Sequence, residues 1–145
     1  MRYIHYGHSS FSKEEFKPVQ HTSNWFKPQG GLWGSIPESQ FNWKEWCIDN
    51  DYRLERLSKH FLFELTEDAK VLTISKLSDL DPLPRLRGYE DYKESVFLDC
   101  EALRKYYDAV EVFFNGDLDF QGVLVGWDCD CIFVLNPEVV REIFG

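Results

Sequence analysis

The chain has 145 residues, 43% of them apolar and 17% aromatic, and carries a formal net charge of −9. That length gives a single domain with its own core, and the apolar content excludes disorder. The acidic balance argues against a non-specific nucleic-acid binder, which needs a basic surface to displace counterions. Arg53, Arg56 and Lys59 are the local exception, spaced to share one helix face.

The first ten residues are polar and aromatic, without the apolar stretch or small-residue cleavage site of a secretory signal. No run approaches the ~20 apolar residues of a membrane span. Cys47, Cys100, Cys129 and Cys131 lack the spacing of a disulfide framework, and Cys129 and Cys131 lack the further ligands of a zinc site. They read as reduced thiols in a cytoplasmic protein that does not engage a membrane.

In chain order, residues 2–7 read as a strand. Ser12 opens a polar turn or short helix, with Glu15 placed as in a capping box. Residues 21–31 read as a loop and 32–36 as a short strand. Residues 42–50 read as a helix whose Trp43, Trp46 and Cys47 form an apolar stripe, expected to serve packing rather than a site. Residues 53–58 extend it or make a further turn. Strands follow at 61–65 and 70–74, separated by a Thr-Glu-Asp turn, and 76–95 is irregular, punctuated by Pro82, Pro84 and Gly88.

Asp99 caps a helix expected to run to about residue 106. Strands are expected at 109–114, 123–126 and 131–135, the last a continuous apolar run. Asn136 caps a closing helix with Pro137 at its first position. Short strands with few, scattered helices indicate an α+β domain of mixed or antiparallel strands over residues 1–145, not a doubly wound parallel sheet.

Three segments carry candidate chemistry. The first is His5-Tyr6-Gly7-His8, where a strand histidine can hydrogen-bond into a cleft that a glycine clears. A histidine taken alone is more often structural, and His21 and His60 read that way. The second is Lys27-Pro-Gln-Gly-Gly-Leu-Trp-Gly-Ser35, a glycine entry into a strand whose Trp33 offers a stacking surface. The third is Trp127-Asp128-Cys129-Asp130-Cys131, acids at the lip of a buried strand, placed to bond a ligand hydroxyl or stabilise a developing cation. An ordinary loop and a solvated turn are the plain alternatives for these two. In an extended chain Asp128 and Asp130 share one side, and Asp130, nearer the apolar strand, is the favoured acid. Phosphate-loop, Gly-x-Ser-x-Gly and His-Glu-x-x-His motifs are missing.

In this order, a first-strand His, a Gly-Gly-Leu-Trp-x-Ser strand and an acid before a late strand ending in Asn-Pro, the chain resembles the ADP-ribosyltransferase fold. It is also similar to small bacterial and phage proteins sharing the Lys-Pro-x-Gly-Gly-Leu-Trp strand and the Trp-Asp-x-Asp ending. The resemblance implies cleavage of the nicotinamide–ribose bond of NAD and transfer of ADP-ribose to a protein or nucleic-acid acceptor. It gives His5, Asp130 and Asp128 catalytic roles, and gives Gly7, Gly31, Trp33 and Ser35 to NAD binding. The departures are Tyr6 between His5 and Gly7, Trp33 where a Tyr is usual, and Asp where Glu is usual. The competing expectation is a non-catalytic protein-interaction module, a phage or bacterial adaptor or inhibitor, because Trp and Tyr dominate interface hot spots.

Overall fold

A computed structural model describes residues 1–22 and 27–144; positions 23–26 of the expected 21–31 loop lie outside them. Among the described residues seven strands form one mixed sheet: β1 (Tyr3–Tyr6), β2 (Leu32–Ser35), β3 (His60–Leu65), β4 (Val71–Ile74), β5 (Ala109–Val112), β6 (Cys131–Val134) and β7 (Val140–Ile143). Their spatial order is β4-β5-β6-β2-β1-β3-β7, and every neighbouring pair is antiparallel except β4 with β5. The helices are few and short: α1 (Trp43–Asn50), α2 (Cys100–Leu103) and α3 (Leu118–Val123). The α+β class stands. Among the described residues no helix is long and apolar enough to cross a membrane.

The interior strand β6 explains the layering. Alternation sends Cys131 and Phe133 into one apolar cluster and Ile132 and Val134 into the other, so all four residues are buried. The first cluster also holds Val110, Val112, Leu103 and Phe120, bringing α2 and α3 onto that face. The second holds Tyr3, Phe61, Phe63 and Val139. Gly34 of β2 is required here: a Cβ there would stand 2.6 Å from the Phe63 ring and 2.9 Å from Ile132.

Several sequence expectations are revised. The strand expected at 123–126 is instead the end of α3 and a turn through Gly126, whose φ is +88°. Asp117 starts α3 by accepting the Phe120 amide. The closing helix is only a single turn of 3-10 helix, Pro137–Val139, capped by Asn136 as expected, after which the chain enters β7 beside β3. Asp99 caps α2 through the Ala102 amide, but the helix stops at Leu103. Residues 54–58 form a separate 3-10 helix after α1.

Candidate functional site

The three strands that carry the candidate motifs lie side by side as β6-β2-β1. β2 and β6 are paired along their full length, from Leu32–Val134 to Ser35–Cys131. β1 and β2 are paired only at Ile4–Ser35. Past that pair a side chain replaces the ladder: His5 Nδ1 lies 2.8 Å from the Trp33 carbonyl oxygen. A carbonyl can only accept, so Nδ1 carries the proton and Nε2 is left as an acceptor for His8 Nδ1–H, 2.9 Å away. Burial pushes the His5 pKa down, the neighbouring His8 adds to this, and the Trp33 carbonyl opposes it. The ring is therefore neutral around pH 7.

His5 borders cavities on both sides of this notch. The larger, about 300 Å³, is lined by Ile4, Tyr6, Trp33 and Ser35 from the strands, Trp43 from α1, and Asp128. Lys27, Tyr52, Arg53 and Arg56 also line it. The smaller, about 280 Å³, includes His8, Phe11, Gly30, Gly31 and Phe61. The pleat accounts for the division: Ile4 and Ser35 are paired and so face one side with Tyr6 and Trp33, while His5 points with its partner Phe61 to the other.

Trp33 is held as a wall. One face stacks on Phe133 at 4.2 Å between centroids, and its edge meets the buried Trp127 at 4.9 Å. Opposite stand Trp43 and Trp46, stacked at 4.9 Å and 8° between planes, with Tyr52 edge-on to both. The expectation that α1 serves packing alone is thus revised. Cys47 is buried, but Trp43 and Trp46 are half-buried and Trp43 lines the cleft. Ser35 Oγ accepts the Trp43 amide at 2.8 Å, so this buried serine anchors the start of α1 to β2.

The two acids separate. Asp128 is half-exposed, lines the cleft and lies 3.5 Å from Lys27 Nζ. Asp130, the acid favoured from sequence, is 1% exposed and lies outside the lining of both cavities. Its Oδ1 accepts the amides of Phe114 (2.7 Å) and Asn115 (3.3 Å), and its Oδ2 accepts the Ser39 hydroxyl (2.7 Å). That is a structural carboxylate, tying the loop before α1 to the end of β5. The extended conformation assumed for 128–130 does not form, because the chain bends at 129–130.

The glycines divide in the same way. Gly31 lines the smaller cavity with φ +63°, and a Cβ on it would clash with the Phe133 ring. Gly7 has φ +112° and donates its amide to the Lys59 carbonyl at 2.7 Å, but lines neither cavity. His21 is structural, accepting the Cys100 amide at 2.9 Å.

The sequence reading gave no role to Lys27, Tyr52 or Trp43 in the cleft. Lys27 stood in the Lys-Pro-Gln-Gly-Gly motif. Arg53 and Arg56 were visible as a basic pair, whereas Lys59 lies outside the lining. In a protein of net charge −9 the larger cavity is lined by three cationic side chains and a single carboxylate. Among the described residues neither arginine has an ion-pair partner; Arg53 lies against the Tyr52 ring at 5.1 Å. No family model, no curated protein and no solved structure matches the chain.

Proposed function

We propose that the chain binds NAD across the His5 notch and transfers its ADP-ribose to a protein or nucleic-acid acceptor. The observation that carries this reading is that Trp33 of β2 and Asp128, in the loop before β6, line one cleft that His5 of the adjacent β1 borders. An extended ligand with two ring systems suits two cavities separated by one histidine. The unpaired Arg53 and Arg56 supply positive charge for a diphosphate link between the rings. Trp33, fixed from behind by Phe133, presents a face for the nicotinamide.

In the reaction the glycosidic bond from ribose C1′ to the nicotinamide nitrogen breaks and its electron pair leaves with neutral nicotinamide. C1′ then carries cationic character until the acceptor's nucleophile bonds to it and gives up its proton to solvent. Asp128 stabilises that charge from the cleft wall. His5 Nε2, an acceptor already, exchanges the His8 N–H for a ribose hydroxyl. Asp130 supports the frame and touches no reactant.

Calorimetric titration with NAD, with released nicotinamide measured by chromatography, tests the proposal. The wild type is expected to bind saturably and to release nicotinamide. Asp128→Ala should abolish release while keeping the fold, and Trp33→Ala should weaken binding. A wild-type protein that shows no NAD binding at millimolar concentration would overturn the reading. It would favour an interaction module presenting the half-exposed Trp43–Trp46–Tyr52 cluster.

A further inference from the structure

The larger cavity already contains a cation. Lys27 Nζ sits 4.5 Å from the centroid of Trp33 and 5.1 Å from that of Trp43, while Asp128 Oδ2 lies 3.5 Å away. Two indoles and one carboxylate around an ammonium are the components of an aromatic cation cage. Each wall is separately fixed. Trp33 is backed by Phe133, Trp43 is stacked on Trp46, and the backbone carbonyl of Asp128 accepts Gln121 Nε2–H at 2.8 Å. The walls therefore do not depend on the lysine for their placement. Lys27 reaches them on a flexible stem from a half-exposed position.

We propose that the Trp33–Trp43–Asp128 corner is a binding site for an organic monocation, a pyridinium or quaternary ammonium group, and that Lys27 is its resident occupant. A ligand cation enters by displacing the lysine. The same two indoles and carboxylate serve both, so binding is competitive, and the apparent affinity is reduced by the fraction of time the cage is self-filled. The displaced ammonium moves toward solvent, where it remains fully hydrated. The site discriminates by charge, because the indole faces and Asp128 reward a cation over a neutral ring of the same shape. This inference rests on the cage geometry and does not require NAD turnover.

The test uses 1-methylnicotinamide, a cation, against nicotinamide, its neutral counterpart, with tetramethylammonium as a second cation. In the wild-type NMR spectrum the Lys27 ε-methylene signal should stand upfield of those of the other lysines, shifted by the indole ring currents. Saturation with 1-methylnicotinamide or tetramethylammonium should return it to the ordinary lysine position, while nicotinamide at equal concentration should leave it in place. Lys27→Ala should bind 1-methylnicotinamide about ten-fold or more tightly than wild type. Asp128→Asn should weaken that binding. An unshifted Lys27 signal, equal binding of the charged and neutral rings, or equal affinity in wild type and Lys27→Ala would each overturn the proposal. Because no readout involves NAD, loss of this inference and loss of the transferase reading are separate results.

Discussion

Asp128 and Asp130 stand two residues apart, and their replacement by Ala should have opposite consequences. Asp130 is 1% exposed and accepts three hydrogen bonds, two from backbone amides and one from Ser39. Removing it leaves the Phe114 amide buried without a partner, at about 1–3 kcal/mol. The longer Asn115 contact and the Ser39 hydroxyl add less, since Ser39 Oγ keeps the Phe41 amide as a donor. Together with the vacated volume, Asp130→Ala should destabilise by about 3–5 kcal/mol. For a domain of this size that lowers the melting temperature by roughly 10 °C or more. Asp130→Asn keeps one acceptor oxygen and should fall between. Asp128→Ala removes only a half-exposed contact at 3.5 Å and should change stability by less than about 1 kcal/mol. Urea unfolding followed by tryptophan fluorescence measures all three variants. If Asp130→Ala keeps the wild-type midpoint at an unchanged slope, the structural role assigned to this carboxylate is wrong.

Gly34→Ala should cost about 1–3 kcal/mol, because the new methyl would stand 2.6 Å from Phe63 and 2.9 Å from Ile132, both fully buried; calorimetric melting checks it. Trp43→Ala should destabilise by only about 1–2 kcal/mol, as its ring is half-buried, while removing one wall of the cleft; a loss near 4 kcal/mol would make it a core residue instead. Stability should also depend on pH below neutrality. Burial lowers the pKa values of His5 and His21 in the fold, so as pH falls the unfolded chain takes up their protons first. Stability from these residues is complete above about pH 6.5 and declines as pH falls toward their lowered values. Unfolding midpoints from pH 7.5 to 5 should show this decline, and the His5→Gln/His21→Gln variant should flatten it.

What the sequence disclosed tracks how local each determinant is. β6 was legible because both of its faces are buried, which demands the unbroken run Cys-Ile-Phe-Val. α1 was legible because Asn42 caps it, accepting the Glu45 amide at 2.9 Å. β7 was hidden by its own entry: Asn136 and Pro137 are sound helix-start signals, and they produce one turn before pairing with β3 takes the chain as a strand. α3 was hidden by Gly122 and by the Val-Leu-Val that follows, which reads as a strand although only Leu124 forms a bridge, with Val96. The cleft was half legible. Trp33 and His5 could be proposed from their strands, but His5 acquires its position only where the β1–β2 ladder stops after a single pair.

The choice between the two acids turned on the backbone between them, and composition carries no record of that. Gly126 with φ +88° and the bend at 129–130 send Asp128 outward and Asp130 inward, where alternation would have kept them together. The ring of Trp33, Trp43 and Asp128 around Lys27 is assembled from three separate parts of the fold, so no spacing in the sequence announces it. Its chemistry follows from the assembly: a protein with 25 acidic side chains places one of them in this cleft and meets it with a lysine from its own chain. Asp130 is enclosed and accepts from three donors of the fold. Asp128 is instead half-exposed, with Lys27 3.5 Å away, and that difference is why the proposals above turn on Asp128 and not on Asp130.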